Sequence, residues 1–194
     1  MTSAYVPAKS GASVKRVAIG SDHAGYALKE ELKAILLERQ VEIKDLGTYL
    51  PIDLSTKPPK NIVDYPDYGE AVGRAVADGS ADLGVCTCGS GIGIGMAANK
   101  VPGVRAATVT SVEAAKATRM HNDANVICFG NKSYIDPEVA KEALRTFLTQ
   151  EFAGSYHTTR VEKLAAVEKT YAAGPAADAG GFMFFLSKCL GTRS

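Results

Sequence analysis

A cysteine followed by a glycine-dense turn is the feature of this sequence that most clearly indicates chemistry. The apolar run Leu83–Thr87 predicts a buried strand, which leads directly into Cys88-Gly-Ser-Gly-Ile-Gly93, and residues 96–99 predict a helix beyond the turn. Backbone N–H groups at the start of a helix stabilise anions and therefore favour the thiolate of a nearby cysteine. A thiolate base beside such a turn suits a reaction that develops an oxyanion.

Polar residues that could complete a site lie at the ends of other predicted elements. Each of the three histidines has polar neighbours there, in the clusters Asp22-His23, His121-Asn122 and His157 with Arg160. A further pair, Asp64-Tyr65, ends a long loop. A structural role is the alternative for any one of these histidines. Their shared position at element ends favours function, because α/β sites form at strand ends.

Two other interpretations of the Cys88 region are weaker. Cys86 and Cys88 would face the same side of a strand, but a zinc site needs two further ligands at close spacing, and the sequence has none there. Cys86 is therefore interpreted as a small buried hydrophobic residue. Dinucleotide binding is the runner-up. The motif for it is weak, because the glycines recur every second residue, out of register with G-x-G-x-x-G, and no acidic residue ends the next strand.

Composition limits the class of protein. The chain has 194 residues, 46% of them hydrophobic, and a net charge of +1. This length and hydrophobic content are enough for a sizeable core, and the small net charge argues against nucleic acid as a partner. The four cysteines do not form a disulfide framework. With no signal-peptide pattern and no apolar stretch of membrane-spanning length, we expect a cytoplasmic protein with no membrane association.

Strands and helices alternate along the chain. Apolar runs predict strands at residues 16–20, 41–46, 83–87, 104–109 and 125–129. Helical patterns predict helices at 24–39, 67–77, from 111, at 137–148 and at 158–170. This alternation predicts a parallel sheet covered on both faces. Residues 1–15 are expected to form a flexible N-terminal arm, and residues 171–194 a tail that docks on its own protein or on a neighbouring subunit.

Several separated motifs make the chain resemble the type B ribose-5-phosphate isomerases, a family that includes galactose-6-phosphate isomerase subunits. They occur in the family's order at residues 17–25, 64–67, 88–93, 97–100, 103–106, 121–125 and 157–161. The resemblance covers about residues 16–169 and implies that residues 16–170 are a sugar-phosphate isomerase domain. The loop at 50–63 and the tail are longer than is usual in the family.

The resemblance implies an aldose–ketose isomerase that uses a cis-enediolate and no metal or cofactor. Cys88 would move the proton between C2 and C1, because residues 94–95 lack the Glu that some members use instead. His121 would open the furanose ring with help from Asp64, and Ser90 completes the catalytic set. The turn would bind the enediolate oxygen through the N–H groups of Gly89, Ser90, Gly91, Ile92 and Gly93. Sugar hydroxyls or phosphate would contact Asp22, His23, Tyr65 and Asn122.

The phosphate site departs from the family pattern. Of the three arginines common in the family, only Arg160 is present, while Lys132 and Tyr156 stand at the other two positions. Lysine keeps the charge but loses the bidentate fork, and tyrosine removes the charge. His23 or His157 could supplement Lys132 and Arg160. Weaker phosphate binding, or a tetrose or hexose phosphate as substrate, is therefore expected as an alternative.

Together these observations predict a Rossmann-like three-layer α/β sandwich that interconverts ribose 5-phosphate and ribulose 5-phosphate. The resemblance also implies a homodimer or a dimer of dimers with active sites shared across the interface. In that arrangement the Cys88 turn of one subunit would face His121, Lys132 and Arg160 of another. A catalytically inactive sugar-phosphate-binding protein with the same fold remains an alternative.

Overall fold

A five-stranded parallel sheet forms the centre of the molecule. The computed structural model describes residues 5–172. The strands are β1 (Arg16–Ser21), β2 (Glu42–Asp45), β3 (Leu83–Thr87), β4 (Ala106–Thr108) and β5 (Val126–Phe129), in the order β2-β1-β3-β5-β4. Every pair is parallel. Strand β3 is buried along its whole length, as expected for a strand covered on both faces.

Helices cover both faces of this sheet. They are α1 (Tyr26–Glu38), α2 (Tyr65–Ala77), α3 (Ile92–Ala98), α4 (Val112–Asn122), α5 (Pro137–Thr149) and α6 (Tyr156–Ala172). One apolar core joins the sheet to α1, α4 and α5, and the other joins it to α2 and α3. Successive residues of β1 alternate between these cores, with Val17 and Ile19 in the first and Ala18 in the second. The predicted α/β three-layer sandwich is confirmed.

Three helices begin earlier than the sequence pattern predicts. Helix α2 begins at Tyr65, directly after Asp64, and α3 begins at Ile92 because Gly91 adopts a left-handed conformation at its N-cap. Helix α6 begins at Tyr156 and continues to Ala172, so it includes the first residues of the predicted tail. The rest of that tail, residues 173–194, lies outside the described residues. None of the helices within residues 5–172 has both the length and the apolar character needed to span a bilayer.

Residues 5–15 lie against the domain, which differs from the flexible arm predicted for this segment. The Tyr5 hydroxyl donates to Asp123 at 2.7 Å, Lys9 pairs with Asp82 at 2.7 Å, and Val14 is part of the core. Both aspartates have almost fully buried side chains. Buried carboxylates need partners, and this segment supplies several of them.

Candidate active site

The turn after β3 fixes the Cys88 sulfur at the carboxyl edge of the sheet. Cys88 donates its backbone N–H to Phe129 O at 3.2 Å, and its Sγ accepts the Gly91 N–H at 3.1 Å. The φ of Gly91 is +77°, and a Cβ at this position would lie 2.6 Å from the Phe129 carbonyl carbon. Only glycine suits both conditions. The glycine spacing of the motif therefore brings a backbone donor to the sulfur.

Three backbone donors of this turn point to no protein acceptor. Within residues 5–172, no acceptor is found for the N–H groups of Gly89, Ser90 and Gly93. The N–H of Gly91 is taken by the Cys88 sulfur, and that of Ile92 by Ser90 Oγ at 3.3 Å. Of the five donors expected at this turn, three thus have no protein acceptor. Backbone N–H groups without acceptors at a helix start can bind a negatively charged oxygen.

Asp22 shapes the neighbouring turn after β1. Its Oδ1 accepts the N–H groups of Ala24 and Gly25, each at 2.9 Å. Burial raises the pKa of Asp22, although these two hydrogen bonds and His23 act in the opposite direction. Thr87 Oγ1 donates to Gly25 O at 2.9 Å and so joins this turn to the end of β3.

His23, Asp64 and Tyr65 meet at the same edge of the sheet. His23 Nδ1 lies 3.2 Å from the Val63 N–H and 3.1 Å from the Val63 carbonyl, and its tautomer decides which of the two it binds. The Tyr65 ring covers Gly93, where an added Cβ would lie 2.8 Å from the ring. Asp64 is exposed and lies in the chain between Val63 and Tyr65, the residues that make these two contacts. The structure thus groups His23, Asp64 and Tyr65 with the Cys88 turn.

Lys29 is a buried charged residue next to the Asp22 turn that sequence analysis missed. It is fully buried and its Nζ contacts Asp45 at 2.8 Å and Thr48 O at 2.8 Å. The adjoining backbone brackets Ser21, since Gly47 O accepts the Ser21 N–H at 2.6 Å and Ser21 O accepts the Thr48 N–H at 2.7 Å. These hydrogen bonds fix the backbone at Ser21, where the Asp22 turn begins. The sequence does carry a signal for this residue, because Lys29 lies on the apolar stripe of α1 at helical spacing from Leu32 and Leu36.

A second cluster of candidate residues forms where α4 ends and α6 begins. The rings of His121 and His157 stack with centroids 4.5 Å apart and an angle of 14° between their planes. Tyr156 packs on His157 at 4.1 Å, and the Arg160 guanidinium lies 4.7 Å from the Tyr156 ring centre. Burial lowers the pKa of His157, and His121 and Arg160 add to this effect. His157 therefore favours the neutral form and offers a hydrogen bond rather than a charge.

The two clusters lie at opposite edges of the sheet. Cys88 follows the carboxyl end of β3, whereas His121 and Asn122 precede the amino end of the adjacent strand β5. With four residues, β5 separates them by about 13 Å, at about 3.3 Å per residue. Lys132, expected beside His121 and Arg160, instead follows β5, where the Asn131 N–H donates to Gly89 O at 3.0 Å. It belongs to the Cys88 edge because a parallel strand carries the chain back to that edge.

Comparison with known proteins places these features in a family. A family model described as Ribose/Galactose Isomerase matches residues 17–164. Ribose-5-phosphate isomerase B of Escherichia coli strain K12 is 39% identical over 156 residues, which are 80% of this chain and 98% of that protein.

Solved structures agree with this match. Ribose-5-phosphate isomerase B of Clostridium thermocellum is 42% identical, with a TM-score of 0.74 over 80% of this chain and 99% of its own. The Mycoplasma genitalium protein, solved with bound ribulose-5-phosphate, is 35% identical, with a TM-score of 0.71 over 79% of this chain and 96% of its own. The motifs, the fold and these relatives agree, and the chain belongs to the ribose/galactose isomerase family.

Proposed function

We propose that this chain interconverts ribose 5-phosphate and ribulose 5-phosphate by metal-free proton transfer through a cis-enediolate. The observation that carries this proposal is the Cys88 sulfur, fixed by the Gly91 N–H in a turn where three other backbone N–H groups have no acceptor within the described residues. The transfer of a proton next to a carbonyl requires a base and an oxyanion site close to each other. The relative solved with ribulose-5-phosphate supports the choice of sugar.

In the proposed reaction, the Cys88 thiolate takes the proton from C2 of the open-chain aldose. The electron pair of the broken C–H bond forms the C1–C2 double bond, and the carbonyl oxygen becomes the enediolate oxygen. The free N–H groups of Gly89, Ser90 and Gly93 bind that oxygen. The Cys88 thiol then returns the proton to C1, while the proton of the C2 hydroxyl moves to the C1 oxygen, so that C2 becomes the carbonyl carbon of the ketose. Asp22 and Tyr65 would hold sugar hydroxyls near the turn.

The second cluster supplies ring opening and phosphate binding. His121 would exchange protons with the ring oxygen and the anomeric hydroxyl, and Asp64 would assist from the Cys88 edge. Arg160 would bind the phosphate at the start of α6, where the helix dipole also favours an anion. Lys132 and His23 would approach the same group from the other edge, while Asn122 and neutral His157 would donate hydrogen bonds.

These assignments require two copies of the chain. Within one chain the Cys88 half and the His121 half lie at opposite edges of the sheet, so one active site combines the two halves from different subunits. Helix α6 exposes Leu164, Val167 and Tyr171 at helical spacing, an apolar stripe suited to a second copy. We infer a homodimer, which could pair further into a dimer of dimers. A cytoplasmic location stays a prediction.

The first experiment measures ribulose 5-phosphate formation from ribose 5-phosphate with a chelator present. The Cys88→Ala variant is expected to lose about 10²- to 10⁴-fold in rate, since it removes the proposed base. Cys86→Ala is the matched control, because Cys86 is a buried thiol two residues away that takes no part in the proposed step. A Cys88→Ala enzyme as fast as the parent would show that the assigned base is wrong.

The replacement of two family arginines by Lys132 and Tyr156 favours a second candidate, the same reaction on a four- or six-carbon sugar phosphate. A panel of such substrates separates the two proposals. Faster turnover of a tetrose or hexose phosphate would replace the pentose assignment. A folded protein that binds these compounds without converting any of them would instead be a binding protein.

A further inference from the structure

Four side chains form one continuous stack across the His121 half of the site. Arg160 lies over the Tyr156 ring, Tyr156 packs on His157, and His157 stacks on His121. Tyr156 is 63% exposed, so burial of its own surface does not account for its place in this stack. It is the member that links the cationic end of the stack to the histidine end.

Arg160 depends on this ring for its position. Within residues 5–172 its guanidinium forms no salt bridge and no hydrogen bond, whereas Arg105 and Arg119 both pair with Asp123. A cation over an aromatic face is held without use of its N–H donors. Those donors therefore stay free for an anion, and Arg160 keeps its full charge for it.

We propose that Tyr156 is a positioning residue for anion binding, which compensates for the absent arginine by fixing Arg160 over its ring. Freezing a long side chain before binding removes part of the entropic cost that a mobile arginine would meet on contact with phosphate. One guanidinium that is already in position can thus supply part of the phosphate affinity that two mobile guanidinium groups would supply. The proposal rests on the proposed function, since it assigns Arg160 to the phosphate of the sugar.

The test measures phosphate affinity apart from turnover. Inorganic phosphate is titrated into the protein and its binding followed by ³¹P NMR. Tyr156→Leu removes the aromatic face and is expected to weaken binding about threefold to tenfold, a change of about 0.7 to 1.4 kcal/mol. Tyr156→Phe keeps the face without the hydroxyl, so it is expected to restore parental affinity.

A double-mutant cycle identifies Arg160 as the group through which Tyr156 acts. Tyr156→Leu should cost nothing further in an Arg160→Gln background. Equal weakening in both backgrounds, or no weakening at all, would overturn the proposal. So would failure of the parental protein to bind phosphate.

Turnover gives an independent readout. In Tyr156→Leu the KM for ribose 5-phosphate should rise by a larger factor than kcat falls, because the main loss is in binding of the phosphate. Turnover of unphosphorylated D-ribose should fall by less than kcat/KM for ribose 5-phosphate, and an equal loss on both sugars would show a general structural defect and overturn the proposal. If the parental protein converts no ribose 5-phosphate but the phosphate titrations still depend on the Tyr156–Arg160 pair, the proposed function fails and the positioning role stands.

Discussion

At the scale of single residues, Gly91 is the position where the site tolerates least change. Alanine there would have to adopt a φ of +77° and would bring its Cβ within 2.6 Å of the Phe129 carbonyl carbon. The turn must then shift, which displaces the N–H that the Cys88 sulfur accepts. We predict that Gly91→Ala lowers kcat/KM about 100-fold or more, a loss typical of a disturbed oxyanion site.

Gly79→Ala is the control for backbone strain alone. Gly79 also has a positive φ, of +76°, but a Cβ there meets nothing within 4 Å. This variant should lose about 1 kcal/mol of stability and keep its activity. Equal activity losses in the two variants would mean that strain, and not the geometry of the Cys88 turn, explains the effect.

Some residue roles follow from sequence and others do not. The Cys88 turn could be predicted because a strand, a thiol and spaced glycines are consecutive in the chain. The free donors of Gly89, Ser90 and Gly93 could not be separated from those of Gly91 and Ile92, since that distinction depends on where each N–H points. Lys29 was overlooked because its partners, Asp45 and Thr48, become neighbours only when β2 joins the sheet.

At the scale of elements, Asp82 ties β1 and the N-terminal segment to the start of β3. Its carboxylate accepts the N–H groups of Lys15 and Arg16 at 2.7 and 2.9 Å and pairs with Lys9. Burial acts to raise the pKa of Asp82, but Lys9 and these N–H groups outweigh it and hold the pKa at about 2, below its usual 3.8.

Because the folded protein has the lower pKa, Asp82 stabilises it above about pH 4, and this contribution is lost as the pH falls toward 2. We predict that Asp82→Asn lowers stability at pH 7 and removes part of this acid dependence, on the order of 1 kcal/mol after solvent screening. Thermal unfolding between pH 5 and pH 2 measures it, with exposed Glu151→Gln as control. An unchanged acid profile in Asp82→Asn would contradict the assignment.

Strand positions followed well from the sequence, while helix starts did not. Apolar runs such as Leu83–Thr87 mark buried strands directly. The start of α3 depends on Gly91 in the left-handed region, and α2 starts at Tyr65 with Pro66 in its first turn, neither of which the apolar pattern reveals. The position of residues 5–15 depends on Asp82 and Asp123, which are distant in sequence, so local composition gave only a loose arm.

At the scale of the whole molecule, the sharing of sites between subunits can be tested by mixing two inactive variants. Cys88→Ala lacks the proposed base and His121→Ala lacks the proposed ring-opening group, so each variant alone is expected to be inactive as a homodimer. Co-expressed in equal amounts, half of the dimers are mixed, and each mixed dimer has one intact site. We predict recovery of about one quarter of parental activity.

The matched control mixes Cys88→Ala with Gly91→Ala, which damage the same half of the site. No recovery is expected there, because every site then carries one damaged Cys88 half. No recovery with His121→Ala would show that both halves of a site come from one chain, and recovery in the control would show that the regained activity does not come from complementary halves. The sequence alone could not have decided whether sites are shared, because the edge at which each cluster lies depends on strand direction. For the same reason, the predicted grouping of Lys132 with His121 and Arg160 put Lys132 at the wrong edge of the sheet.

The separation of the two edges by the length of β5 has a consequence for how the reaction depends on protein concentration. On the proposed assignment, a single folded chain carries both halves of the chemistry and no complete active site. Dissociation then abolishes turnover while every strand and helix stays in place. Below the dimer dissociation constant the measured rate will approach the square of chain concentration, so association itself acts as the switch for catalysis.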